Sequence, residues 1–285
     1  MKEAKFSSNL ALFIRKLLHR LREDRVTASG AQLAYFIVLS IFPFTIFLLN
    51  ILSFTPYLKE DIIAPLVIIL PVDLQRLILN LVSETVRSSS ETLLSISALM
   101  GLWAASKGAL AFIRIMNDAY RVKETRSYIY TRFLSIVFTL GLLLAFTLAL
   151  LALVFGEFLA SRVFFYIGFA RSFISFWTYF RTLLALGLMI IIFTLIYKFA
   201  PALESEMTIS FSQAFPGAVF SSLGWVITSL GFSYYVNNLG NFAKMYGSLA
   251  AVVILLFWLY MTSIIVIMGG EVNATIKCMK EEAGN

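Results

Sequence analysis

Residues 101–120 read GLWAASKGALAFIRIMNDAY, a stretch apolar enough to enter a bilayer that still carries Lys107 near its middle and Arg114 towards its end. On a helix with 3.6 residues per turn, these two cations share one face. A cation in hydrocarbon costs at least about 2.5 to 3.5 kcal/mol, so such a face is expected to point into a helical bundle. The stretch therefore predicts a transmembrane helix within a larger bundle.

The two cations differ in how they are expected to be accommodated. Arg114 lies near the helix end, where Asp118 follows four residues on and where a long side chain snorkels to the interface. Lys107 lies about two turns deeper and has no local carboxylate. We expect Lys107 to face inward, with Glu157 and Glu271 as the membrane-edge carboxylates available to it; snorkelling is the alternative.

The composition as a whole indicates an integral membrane protein. Of the 285 residues, 60% are hydrophobic, against roughly 45–50% in soluble domains. The 14% of charged residues cluster between long apolar runs. The net charge of +7 fits loops that face anionic lipid, and nucleic-acid binding is not expected.

Enzyme chemistry finds little support in the sequence. The single cysteine, Cys278, and the single histidine, His19, cannot build a Cys/His metal centre within one chain. The motifs of serine hydrolases, phosphate-binding loops and zinc proteases are missing. We expect a protein that is not an enzyme and needs neither a metal nor another cofactor; a magnesium or calcium site built from carboxylates alone is the alternative.

Apolar runs of about 20 residues predict an all-α bundle of six transmembrane helices. The predicted spans cover residues 33–55, 93–116, 133–156, 176–199, 211–235 and 247–269. Lys and Arg are dense before the first span and after the second, and sparse in the first outer connection, residues 56–92. This places both termini in the cytoplasm. The predicted parts are a basic segment at 1–30, a membrane domain at 31–272 and a cytoplasmic tail at 273–285.

Two further segments are expected to lie on the membrane. Residues 9–22 alternate apolar and basic side chains at helical spacing, which predicts an interfacial amphipathic helix or a solvated helix packed on the bundle. The outer connection predicts short amphipathic helices that either gate a cavity or only cover packed helices. The fifth span is rich in small residues, which favours close helix packing.

Three ordered motifs carry a family resemblance. They are VTASGAQLAYFIVLSIFPFTIFLL at 26–49, GLWAASKGALAFIRIMNDAY at 101–120 and MYGSLAAVVILLFWLYMTSIIVIMGGEVNA at 245–274. Together they resemble the YihY/BrkB family of bacterial inner-membrane proteins, over residues 25–275. The resemblance implies a six-span bundle with cytoplasmic termini. Some family members carry a ribonuclease label, but these residues supply no nuclease metal site.

The resemblance marks residues in each motif, and GGE here replaces the commoner GAE. The marked residues are Ala34, Tyr35, Ser40, Pro43, Trp103, Asn117, Tyr120, Tyr246, Gly247, Trp258, Tyr260, Gly269 and Glu271. The candidate polar cavity or substrate site consists of Lys107, Arg114, Asn117, Asp118 and Glu271.

The leading functional hypothesis is a transporter-like protein that binds or moves an anionic amphiphile of the cell envelope, because anionic headgroups suit Lys107 and Arg114. Membrane lipids are the expected partners. The alternative is a structural or scaffolding membrane protein that works through a homo-oligomer or an envelope protein partner. A ribonuclease is the least favoured hypothesis.

Overall fold

The computed structural model describes residues 2–53, 91–158, 170–202, 208–238 and 241–284. Within these ranges every regular element is helical, and no strand occurs. The helices are α1 (Lys2–Glu23), α2 (Val26–Ser53), α3 (Glu91–Ala119), α4 (Tyr128–Phe158), α5 (Ala170–Phe199), α6 (Phe211–Asn238), α7 (Phe242–Tyr246) and α8 (Ala250–Gly284), with a 3-10 turn at Gly247–Leu249 before α8. The predicted all-α class is confirmed.

Each predicted span overlaps one of these helices over most of its length. By length and composition, three segments in the described part of the chain can cross a membrane: Leu99–Ala119 in α3, Phe211–Asn238 in α6 and Ala250–Glu282 in α8. Shorter apolar stretches lie in α2, α4 and α5, at Val26–Ser40, Tyr128–Leu143 and Leu183–Phe199. The count of six spans stays a prediction. The first outer connection lies almost wholly outside the described residues, and so does the lid predicted there.

The helices pack around α8, which contacts α1, α2, α3 and α6; α2 also packs on α3, and α5 on α6. The centre of the bundle is built from large apolar side chains, among them Phe112, Ile113 and Met116 of α3, Tyr197 of α5 and Ile267 of α8. Dispersion contacts and close packing hold such a core together in lipid, where the hydrophobic effect between helices is weak.

The closest approach in the bundle lies between α6 and α8. A Cβ atom on Gly217 would overlap the carbonyl oxygen of Gly269, and a Cβ atom on Gly269 would overlap the Ser221 hydroxyl. The packing role predicted for the small residues of the fifth span is confirmed for the buried Ala214, Gly217 and Ser221. Gly231 is different, because it is exposed and an added Cβ atom would meet nothing within 4 Å.

Asn273 of α8 bridges the backbone of α6 beside Pro216. Its Oδ1 atom accepts a hydrogen bond from the Gly217 amide at 2.7 Å, and its Nδ2 atom donates one to the Ala214 carbonyl at 2.9 Å. Proline inside a helix disturbs the local hydrogen-bond ladder. The Asn273 amide pairs with backbone groups on either side of that disturbance.

The N-terminal segment forms the helix α1, which packs on α8. Ion pairs join Lys16 to Glu282 and Arg20 to Glu271. Leu10, Ile14 and Leu18 of the same helix remain exposed. The helix therefore contacts the bundle, as one of the two alternatives proposed, and leaves an apolar ridge uncovered.

Candidate functional site

An apolar cavity of about 570 Å³, partly open to the outside, lies between the helices. This volume lies within the range of about 300–1,000 Å³ that is usual for small-molecule pockets. Helices α2, α3, α4, α5, α6 and α8 all contribute to its wall. The lining residues include Leu33, Ile37, Ala105, Gly108, Ala109, Phe112, Phe138, Leu142, Phe193, Ile196, Trp225, Trp258, Ser263 and Val266.

Ser263 is a polar residue of the cavity wall whose hydroxyl group is buried. This residue is only 1% exposed, and its Oγ atom has no hydrogen-bond partner in the described structure. Two other polar lining residues are satisfied within their own helices, since Ser40 donates to the Ile37 carbonyl at 2.6 Å and Thr139 to the Ser135 carbonyl at 2.8 Å. Buried hydroxyl groups normally have partners, so Ser263 is an exception among the polar residues of the wall.

Two tryptophans belong to the cavity wall. The rings of Trp225 and Trp258 meet edge to face, with centroids 6.0 Å apart. The Trp258 indole N–H donates to Ser229 Oγ at 3.3 Å. The resemblance marked Trp258, and its position here joins α8 to α6 along the wall.

Arg132 is a buried cation of α4 outside the residues that line the cavity, and it was not among the residues proposed from the sequence. Its guanidinium lies 3.8 Å from the centre of the Trp103 ring, and Nη2 donates to the Trp103 carbonyl at 3.2 Å. Its Nε atom has no partner among the described residues. Arg132 precedes the cavity residue Thr139 by seven positions, two helical turns along one face of α4. The sequence signal was an arginine directly before an apolar span.

The proposed cationic face of α3 points outward. Lys107, Arg114 and Asp118 are all exposed, so the inward orientation expected for Lys107 is wrong. In the described part of the chain no ion pair joins Arg114 to Asp118, contrary to expectation. The physical reason is that the opposite face of α3, with Phe112, Ile113 and Met116, supplies the apolar core.

Asn117 connects the end of α3 to two other segments. Its Nδ2 atom donates to Glu124 Oε2 at 2.8 Å, and its Oδ1 atom accepts from the Ala202 amide at 2.7 Å. Arg126 donates two hydrogen bonds to the same carboxylate, from Nε at 2.7 Å and from Nη2 at 2.8 Å. Burial raises the pKa of Glu124, but the hydrogen bonds from Arg126 and Asn117 outweigh it and lower the pKa below its usual value.

Glu271 lies in a buried charge cluster where α1, α3 and α8 meet. Its side chain is 1% exposed and pairs with Arg20 Nε at 3.2 Å, while Arg20 also donates to the Ala119 carbonyl. Asp24 is 6% exposed and pairs with Arg121 at 2.8 Å. Burial and the neighbouring Glu271 carboxylate raise the pKa of Tyr120 above its usual value. Of the five proposed site residues, only Asn117 and Glu271 are buried.

The remaining residues marked by the resemblance are spread over the bundle. Tyr35 and Tyr246 are exposed, Tyr260 is half-buried, and Gly269 lies at the α6–α8 contact. Gly247 adopts the left-handed conformation, with φ +54°, which favours glycine at the start of α8. Pro43 lies within α2, but its surroundings fall outside the described side chains.

The long apolar helices are those of an α-helical membrane protein. The chain belongs to the family described as virulence factor BrkB, whose model matches residues 17–285. The resemblance proposed from the three motifs is thereby confirmed.

Individual relatives match over nearly their full lengths. The ribonuclease-like protein YfkH of Bacillus subtilis is 33% identical over 94% of this chain and 96% of its own length. UPF0761 membrane proteins of Alteromonas mediterranea and Pseudoalteromonas atlantica are 26% and 25% identical, each over 95% of this chain and over 91% and 88% of their own lengths. No solved structure matches this chain.

Proposed function

We propose that this protein binds, and moves within the membrane, an anionic amphiphile of the cell envelope, and that it does so without enzymatic chemistry. The observation that carries the proposal is the 570 Å³ cavity walled by six helices. Its lining is almost entirely apolar, which suits an acyl chain or another hydrocarbon group. We place the protein in the inner membrane with both termini in the cytoplasm, on the distribution of Lys and Arg.

Arg132 is our candidate for the charge that receives an anionic headgroup. Arg132 is only 8% exposed, and its Nε atom has no hydrogen-bond partner among the described residues. A buried N–H donor without an acceptor is costly, and a phosphate or carboxylate oxygen would satisfy it with a charge-assisted bond. This role replaces the one that the sequence suggested for the exposed Lys107.

A photo-crosslinking experiment tests the binding step. The purified protein is placed in nanodiscs that contain phosphatidylglycerol with a diazirine in its acyl chain, and labelled peptides are mapped by mass spectrometry. We expect labels on cavity residues and a several-fold loss in Ala109→Phe, because the larger side chain fills part of the cavity. Leu99→Phe is the matched control, since Leu99 is 69% exposed and its variant should label as the wild type does.

The headgroup is tested in a second arm with phosphatidylcholine that carries the same acyl chain. Arg132→Gln should reduce the preference for the anionic lipid, whereas Arg132→Lys should keep most of it. Movement is followed as the transfer of a fluorescent phosphatidylglycerol between leaflets of vesicles that contain the protein. The proposal would be contradicted if Ala109→Phe and the wild type showed the same labelling of the cavity peptides.

A scaffolding function is the second candidate, and the exposure of Lys107 favours it. A lysine on the outer surface of a membrane helix is stabilised when another protein, or a second copy of this chain, covers it. This candidate predicts that cysteine crosslinking from positions beside Lys107 captures a discrete partner. It also predicts that Lys107→Leu abolishes the capture while the cavity still takes up the lipid.

A further inference from the structure

The charge cluster between α1 and α8 contains two buried carboxylates that each lack one hydrogen bond. Arg20 occupies one oxygen of Glu271, and Arg121 occupies one oxygen of Asp24. The other oxygens, Glu271 Oε1 and Asp24 Oδ2, are buried and have no partner in the described structure. Asp24 follows Arg20 by one helical turn, and its amide donates to the Arg20 carbonyl at 2.8 Å. Asp24, directly after the end of α1, therefore lies on the same face of this helix as the arginine that pairs with Glu271.

The charges around this pair do not balance. Arg121 is shared, because it also pairs with Glu23 at 2.6 Å. Two guanidinium groups, of Arg20 and Arg121, thus face three carboxylates, of Glu23, Asp24 and Glu271. His19 lies 3.6 Å from Glu23 on the exposed side of the cluster. The buried carboxylates of Asp24 and Glu271 are left with less than two full positive charges, because Arg121 is shared with Glu23. The other titratable group facing Glu271 is Tyr120 at the end of α3. It is a neutral phenol, and Lys277 lies beyond its ring at 5.9 Å.

One proton corrects both defects at once. Placed between the two orphaned oxygens, it turns one carboxyl group into a donor and leaves the other as the acceptor, and it supplies the missing charge. Two carboxylates in contact in a buried site do not both ionise readily, because their repulsion is poorly screened there. We propose that Asp24 and Glu271 share a single proton, so that the pair is a proton-binding site that fastens α1 to α8.

The location of the pair gives the proton a structural consequence. Asp24 lies in the turn between α1 and α2, and Glu271 lies within α8, which contributes to the cavity wall. Loss of the proton leaves two unpaired carboxylate oxygens facing each other, and their repulsion separates α1 from α8. This inference does not depend on what occupies the cavity, so either proposal can fail without the other.

Infrared spectroscopy of the full-length protein in nanodiscs tests the site directly. We expect the carbonyl-stretch band of a protonated, buried carboxyl group at neutral pH, shifted in heavy water and lost as the pH is raised. Glu271→Gln and Asp24→Asn should each abolish it, because the remaining carboxylate ionises beside its arginine. Glu281→Gln is the matched control on α8, where Glu281 is exposed and pairs with Lys277 at 3.9 Å, and it should retain the band.

Helix docking is followed with spin labels on Cys278 of α8 and on a cysteine at position 12 of α1, Leu12→Cys, since both positions line the same groove. In the otherwise unchanged chain, dipolar coupling should weaken as the pH rises. With Glu271→Gln, the neutral amide should keep the coupling constant. The proposal is overturned if no carboxyl band appears at neutral pH, or if both isosteric variants keep it. It is also overturned if sodium ions at constant pH remove the band, since the pair would then bind a cation.

Discussion

Gly217 of α6 and Gly269 of α8 meet where the two backbones are too close to admit a side chain between them. Small residues allow such contact, which brings many atoms into van der Waals range. Ser221 and Tyr197 complete the contact, with their hydroxyl groups 2.6 Å apart and Tyr197 donating to the Val266 carbonyl at 2.5 Å. One wall of the cavity continues directly from this crossing, through Val266 and Ser263.

The first prediction is that Gly217→Ala destabilises the protein by about 1–3 kcal/mol, the usual cost of overpacking a core. The added methyl group overlaps the Gly269 carbonyl oxygen, and the two helices must separate. Thermal unfolding in detergent or nanodiscs measures the effect. Gly231→Ala is the control in the same helix, because an added Cβ atom there meets nothing within 4 Å. Equal melting temperatures for the two variants would contradict the prediction.

The second prediction concerns the Asn273 bridge. Asn273→Leu removes both hydrogen bonds to α6 and leaves the Gly217 amide and the Ala214 carbonyl without that partner. Each buried group left unsatisfied costs about 1–3 kcal/mol, so we expect a total loss of roughly 2–4 kcal/mol. Asn238→Leu is the comparison, because Asn238 is exposed and bonds only the Tyr234 carbonyl. A wild-type melting temperature in Asn273→Leu would show that the bridge contributes nothing.

The helices could be predicted from the sequence, because an apolar run of about 20 residues has few alternatives to a helix in lipid. The side of α3 that faces the bundle could not be predicted, because apolar residues occur on both sides of this helix and their spacing does not distinguish the side that carries Lys107 from the other. The sequence identified Glu271 as a candidate but not its partners. Arg20 and Asp24 lie about 250 residues earlier in the chain, and only tertiary packing brings them to Glu271.

The third prediction is a pH dependence that comes from Glu124. Its folded-state pKa is lowered below the ordinary value of 4.5, so its ionised form stabilises the fold. This contribution is complete above pH 4.5 and is lost as the pH falls through the lowered pKa. Glu124→Gln should therefore show a shallower loss of stability on acidification than the wild type does. Unfolding midpoints measured along a pH series test the difference.

The control for this series is Asp118→Asn, which removes an exposed carboxylate that has no ion pair in the described structure. It should keep the wild-type slope. If Glu124→Gln also kept the wild-type dependence of stability on pH, the hydrogen bonds from Arg126 and Asn117 to Glu124 would contribute nothing to the free energy of unfolding.

The fourth prediction separates two lysines by what they contact. Lys198 of α5 lies 3.4 Å from the centre of the Phe211 ring, a cation–π contact worth about 0.5–2 kcal/mol. Lys198→Leu should lower the melting temperature by a corresponding amount. Lys107 is exposed on α3, so Lys107→Leu in an isolated protomer removes a charge from the lipid-facing surface and should leave the melting temperature unchanged or raise it. A lower melting temperature for Lys107→Leu, together with a smaller particle in size-exclusion chromatography, would instead mean that a protein partner covers this face.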